Sequence, residues 1–207
     1  KELNPNRQSF FSQKAFYDKT VVPIELTHSK IVYNLDNQQQ KLLDFLLSEP
    51  KGDGYITKNK KLIPSVTVAD CVPIYLFDNT SKVFGIVHSG WKGTGIISQA
   101  IKMAVTTFNA NIKTISIIIG PHIQNCCYTV DEERKNYFVQ NFTSKSITEK
   151  NNKFYLSLAQ ANIHCLKTVG ILEENILLCN DCTCCNAELG SFRRESVNTA
   201  FQKIEFI

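Results

Sequence analysis

The sequence predicts a mixed α/β (α+β) fold in a single domain spanning residues 1–207. Three observations predict it. Short runs of β-branched and aromatic residues are bounded by turn signals; amphipathic stretches long enough for helices alternate with them; and no repeat, linker or low-complexity segment interrupts the chain. A hydrophobic fraction of 43% with 20% charged residues suits a packed core and excludes general disorder.

The elements follow in order. Residues 21–27 form an apolar run that predicts a strand ending at His28, and QQQKLLDFLLS (38–48) carries a helical pattern that stops near Pro50 and the turn signals Gly52 and Gly54. LIPSVTVAD (62–70), VPIYLFD (72–78) and KVFGIVH (82–88) read as strands, the last two joined through DNTS as a hairpin. The Gly-rich turn SGWKGTG (89–95) opens onto IISQAIKMAVTTF (96–108), whose apolar spacing predicts a helix. The continuous apolar run KTISIIIG (113–120) predicts a strand buried on both faces, and Gly120-Pro121 forces GPHIQNCCYT into a loop. Helices are predicted over DEERKNYFVQNF (131–142) and SLAQANIHCLKTVG (157–170), the latter stopping at Gly170. NILLC (175–179) is a late strand leading into a Cys-rich loop, and FQKIEFI (201–207) is expected to close a sheet edge.

Lysine and arginine outnumber aspartate and glutamate by 23 to 19 and are scattered, so no basic arm or stripe points to nucleic acid. No run approaches the roughly 20 apolar residues of a membrane span, and KELNPNRQSFFSQK lacks the apolar core of a signal peptide. The expectation is a cytoplasmic protein without membrane or nucleic-acid partners. In that compartment the eight cysteines are reduced thiols or metal ligands.

Chemistry is constrained by a supply of four histidines: His28, His88, His122 and His164. His28 and His88 fall at strand ends and Cys71 precedes a strand, the places where a rigid scaffold presents reactive groups. Taken singly, each also reads as ordinary packing or a hydrogen-bonded core residue. Cys179, Cys182, Cys184 and Cys185 do not form two separated pairs as a zinc ribbon requires, and Cys126-Cys127 reads as packing or pocket lining.

Four ordered blocks, VADCVPIYLFD, VFGIVHSGWKGTG, IGPHIQNCCYTVDEE and CTCCNAELGSFRRE, resemble the YfiH family, also called the laccase-domain or multicopper polyphenol oxidoreductase family. The resemblance reaches from about His28 to Arg194 and implies a single domain of mixed β-sheets flanked by helices, as in the cytotoxic-necrotizing-factor/YfiH-like fold. It also implies that His28, Cys71 and His88 hold a metal, zinc or alternatively copper. One thiolate and two neutral imidazoles leave a tetrahedral zinc with an open position, the pattern of catalytic sites. Asp70 and Asp53 match acidic positions and are candidates for general base or for a partner to a ligating histidine. The turn formed by Gly90, Trp91, Lys92 and Gly93 offers backbone N–H groups to an anion, or is simply a close-packed turn. Lys92 stands where the family more often has Arg. Arg193 and Arg194 are candidates to bind phosphate or orient substrate, with Arg194 as a possible catalytic group beside Asp70 and Cys71.

The resemblance implies an enzyme that phosphorolyses adenosine, inosine, guanosine or methylthioadenosine and deaminates adenosine, with nucleoside and phosphate as its small-molecule partners and a monomeric or homodimeric state. Hydrolysis of UDP-MurNAc-L-Ser in peptidoglycan precursor editing is the alternative within the family. Copper oxidation of phenols is disfavoured by the small histidine supply. A metal-free Cys71–His88 hydrolase and a non-enzymatic binding protein complete the alternatives.

Overall fold

The computed structural model describes residues 19–37 and 42–198. The N-terminal KELNPNRQSFFSQK, residues 38–41 of the first predicted helix and FQKIEFI lie outside them.

Proline divides the first predicted strand. Thr20–Val22 (β1) and Glu25–Leu26 (β2) flank Pro23, which has no N–H to give to a ladder, and His28 follows in the left-handed region at φ 57. Tyr33–Asn34 (β3) precedes helix α1 (Leu42–Leu47), the described part of the helix expected over 38–48. Gly52 and Gly54 are strand residues, in Lys51–Gly52 (β4) and Gly54–Thr57 (β5), rather than the turn residues expected. Close approach explains Gly54: a Cβ there would come within 2.6 Å of Val87 Cγ1 on the neighbouring strand. The long strand expected over 62–70 shortens to Leu62–Pro64 (β6), which pairs in parallel with β1: β1 stops at Val22, before Pro23, and β6 stops at Pro64.

Val72–Asp78 (β7) and Phe84–Ser89 (β8) form the expected antiparallel hairpin, its turn held by Asp78, which accepts from the Ser81 N–H. Helix α2 (Ile96–Phe108) spans the predicted residues and buries Ile96, Ile97, Ala100, Ile101, Ala104 and Phe108. Ile115–Ile119 (β9) follows, then Thr129–Val130 (β10) and helix α3 (Glu132–Asn141), capped by the Asp131 carboxylate. Ile147–Lys150 (β11) and Lys153–Leu156 (β12) lead to helix α4 (Leu158–Thr168), capped by Ser157 and followed by Gly170 at φ 97. Ile176–Leu178 (β13) and helix α5 (Phe192–Asn198) complete the described elements.

The main sheet has six strands in the order β13-β9-β7-β8-β5-β3, with antiparallel pairing in the middle and parallel pairs at both edges. One face carries the core, where Ile74, Leu76, Ile115, Ile117 and Ile119 pack with α2 residues and with Phe138, Leu158 and Leu166. The other face corrects the expectation of a strand buried on both sides. Ile118 on β9 is 45% exposed, and across the ladder it aligns with exposed Tyr75 on β7 and with Leu177 on β13, which is 63% exposed. The apolar run is continuous in sequence, but its burial alternates as in a sheet with one open face.

Candidate metal centre

His28, Cys71 and His88 come from three separate segments and meet. Their ligand atoms all lie within 4.8 Å of one another, and the two imidazole rings stand edge to face with centroids 5.0 Å apart. The carboxylate that organises them is Asp53, wholly buried between β4 and β5. Its Oδ1 accepts from the backbone N–H of His28 at 2.9 Å and faces His88 Nδ1 at 2.8 Å. Its Oδ2 accepts from the Ser29 N–H and hydroxyl, both at 2.6 Å, and from the Thr27 hydroxyl at 3.0 Å. The same residue's backbone bonds both neighbours, accepting from His88 N–H at 2.7 Å and donating to Ile31 O at 2.9 Å. The left-handed His28 loop and the end of β8 are thus fixed by one residue.

The electrostatics suit a cation. Burial works to raise the Asp53 carboxyl, but hydrogen bonds from Ser29, His88 and Thr27 outweigh it and hold Asp53 below the ordinary carboxylate range. Burial lowers His88 more than the Asp53 carboxylate raises it, so the imidazole is neutral. A neutral ring beside an ionised carboxylate carries its proton on Nδ1, leaving the Nε2 lone pair for a metal. Burial, with the charges of Asp70 and Asp53 behind it, pushes the Cys71 thiol up to about 12. A thiol in that state is a poor free nucleophile, whereas a divalent cation among these groups favours the thiolate. Donor identity, tautomer and local charge all fit a zinc-type ion, and copper accepts the same donors.

The turn after β8 lies directly on this cluster. A Cβ at Gly90 would come within 3.1 Å of both Cys71 Sγ and His28 Cδ2 and 3.6 Å of His88 Cε1, so glycine is required by the site itself. Gly93 abuts the Ser29 carbonyl in the same way: a Cβ there would stand 2.8 Å from the carbonyl oxygen. The Gly95 N–H donates to Asn162 Oδ1 at 3.2 Å and that of Ile96 to Gly93 O at 3.0 Å, so these two N–H groups of the helix start are engaged internally. Trp91 packs against the main core with the Arg134 guanidinium 4.3 Å from its ring centroid and the Lys92 ammonium 5.4 Å away. Arg134 Nε is shielded from solvent and has no hydrogen-bond partner. Burial raises the neighbouring Tyr128 phenol, against the pull of the Arg134 charge.

Asp70 and the two C-terminal arginines are tied into the loops around the site. Asp70 sits at φ 85, a strained position for a non-glycine residue, held by the Thr183 hydroxyl at 2.7 Å and the Arg193 N–H at 2.6 Å. Its carboxylate anchors the start of α5 and sets the direction of the adjoining Cys71, which leaves Asp53 as the carboxylate in contact with the ligand set. Arg193 donates to the Cys127 carbonyl and to Thr129, and its guanidinium lies 5.3 Å from the Tyr128 ring centroid. Arg194 donates to the carbonyls of Thr183, Cys184, Asn186 and Leu189 and pairs with Glu195. Both arginines hold loops together through these bonds. Phe192 and the residues after it form helix α5.

The sequence profile of the multi-copper polyphenol oxidoreductase laccase family matches residues 1–202. The chain belongs to this laccase family. Among family relatives, a purine nucleoside phosphorylase of Borreliella burgdorferi is 28% identical over 199 residues, covering 94% of this chain and 81% of the relative. One of Clostridium acetobutylicum is 33% identical over 184 residues, covering 87% and 73%. Two solved structures share the fold: YlmD from Geobacillus stearothermophilus, with a TM-score of 0.82, 25% identity and coverage of 94% and 75%, and the hypothetical protein YfiH from Bacillus licheniformis, with 0.79, 27%, 92% and 74%.

Tyr128 lies inside the block IGPHIQNCCYTVDEE and Arg134 directly follows it, but neither stands out there by residue type; Asn162 lies in none of the four blocks. Asn162, wholly buried on α4, accepts from the Ser89 hydroxyl and the Gly95 N–H and so ties the glycine turn to a distant helix. Among the described residues, His122 is buried with Nδ1 donating to the Gly120 carbonyl at 2.8 Å, and exposed His164 lies on the surface of α4; neither joins the cluster. The cysteines regroup as well. Cys182 and Cys185 lie with Cys126 and Cys127, while Cys179 turns to Asp181.

Proposed function

We propose that the chain is a zinc-dependent purine nucleoside phosphorylase that also deaminates adenosine. The convergence of His28, Cys71 and His88 over Asp53 carries this reading. Relatives named purine nucleoside phosphorylase, similar over most of both chains, support it. Zinc held by His28, Cys71 and His88 would supply Lewis acidity to a bound substrate group.

The protein's own groups have assignable tasks. Asp53 holds the His88 Nδ1 proton and fixes the ring. In phosphorolysis the bond from purine N9 to ribose C1′ breaks, its electron pair leaves with the base, and a phosphate oxygen forms the new bond to C1′. Arg134, whose Nε lacks a partner, is the cation we assign to phosphate, with Lys92 on the rim of Trp91 as a second positive charge. This replaces Arg193 and Arg194, whose donors are engaged. Nucleoside chemistry also matches the donor supply better than a multicopper centre, since only two of the four histidines meet at one point.

The test is product analysis by mass spectrometry with adenosine or inosine, with and without phosphate, on protein of measured zinc content. Free base and ribose 1-phosphate should form only with phosphate, and inosine should form from adenosine without it. Zinc-replete protein that releases no base from any purine nucleoside overturns the proposal. Arg134→Ala should raise KM for phosphate about tenfold, the equivalent of one charged hydrogen bond, and leave deamination nearly unchanged.

A further inference from the structure

A second cluster lies apart from the metal centre. The Sγ atoms of Cys126, Cys127, Cys182 and Cys185 all lie within 4.8 Å of one another, with Cys126 to Cys185 at 3.6 Å and Cys127 to Cys185 at 3.3 Å. A tetrahedral zinc with Zn–S bonds near 2.3 Å separates its sulfurs by about 3.8 Å, so little movement is needed to seat one. From these observations we propose that the four cysteines form a structural zinc site, closed by four thiolates and distinct from the His28–Cys71–His88 centre.

The local backbone is shaped for it. Side chains of adjacent residues normally diverge, but Cys126-Cys127 lies in a tight turn in which the Cys127 and Tyr128 N–H groups both donate to the Gln124 carbonyl, and both thiols face the same way. Cys182 to Cys185 is a second turn, with the N–H groups of Cys185 and Asn186 donating to the Cys182 carbonyl. Two turns, each offering a pair of thiols from a distant part of the chain, make the arrangement that structural zinc sites use. The Gln124 N–H donates to Cys182 Sγ at 3.4 Å, a bond that a thiolate accepts more strongly than a thiol.

Charge supports the same conclusion. Zinc with four thiolates carries two excess negative charges, which need compensation at a half-buried position. Arg193 donates to the Cys127 carbonyl and Arg194 to those of Thr183 and Cys184, so two guanidinium groups stand against the backbone of the ligand turns. That accounts for paired arginines committed to a cysteine loop. The site would clamp the loop after β9 to the loop before α5. The loop before α5 and the start of α5 supply Thr183 and the Arg193 N–H to Asp70, the neighbour of Cys71, so the clamp also steadies the wall of the candidate metal centre.

The proposal does not depend on the nucleoside reading and is tested separately. In Cys71→Ala/His88→Ala protein, purified with reductant and desalted, one zinc per chain should remain; Cys182→Ser/Cys185→Ser in that background should remove it. Cobalt(II) bound to the Cys71→Ala/His88→Ala protein should show intense thiolate charge transfer and the visible bands of a tetrahedral tetrathiolate. Should these variants fail to fold, the wild type decides: exposed Cys126 and Cys185 should resist alkylation until a chelator is added, as read by peptide mass spectrometry. Equal alkylation with and without chelator, loss of all zinc from folded Cys71→Ala/His88→Ala protein, or a disulfide among these four cysteines in protein isolated under reductant overturns the proposal.

Discussion

Asp53 receives four hydrogen bonds from the His28 loop and one from the His88 ring, all through two carboxylate oxygens. Asp53→Asn keeps the shape but replaces one acceptor oxygen by an NH₂ that opposes N–H donors. We expect metal affinity to fall about 10- to 100-fold, measured by competition with a chelator, while circular dichroism stays native. Gly90 is legible as a turn glycine, but its contact with sulfur and both rings is a tertiary fact. Burial also depresses His122 below its ordinary 6.5, so the folded state resists its protonation. The sign follows: below about pH 6.5 the unfolded chain takes up that proton first, and stability falls with pH until the folded-state value is passed. Thermal midpoints recorded down this range should drop more steeply for wild type than for His122→Gln.

At the scale of elements, long periodic segments are readable in the sequence and short paired ones are not. The helices α2, α3 and α4 and the β7–β8 hairpin follow their patterns, since each has a buried stripe, a cap or a turn of its own. The sheet β10-β12-β11 escapes because ITEK and KFYL are half polar; its one signal is Asn151-Asn152, both at positive φ as a tight hairpin turn requires. Of the candidate metal ligands, Cys71 and His88 stand in motif blocks and His28 at the end of an apolar run, whereas Arg134 and Asn162 are not legible, since each matters only through what folding brings beside it. Asn162→Ala leaves the Ser89 hydroxyl and Gly95 N–H without their acceptor. Denaturant unfolding should show a loss of at least about 2 kcal/mol, from two buried polar groups at about 1–3 kcal/mol each.

Across the whole molecule, the described residues place both metal-type clusters around the loops that join the main sheet to its helices, while the sheet's inner face holds the core. No helix among them is long and apolar enough to cross a membrane. A chain of contacts through Thr183, Asp70 and Cys71 links the two clusters, whereas the outward row of Tyr75, Ile118 and Leu177 belongs to neither. Replacing Ile118 or Leu177 by Ser should change stability by no more than about 0.5 kcal/mol and leave turnover intact, as activity and melting measurements will show. That row is therefore a convenient place to attach a dye, a surface tether or a crystallisation aid. A reporter fixed there stands on the open face of the sheet, opposite the packed core.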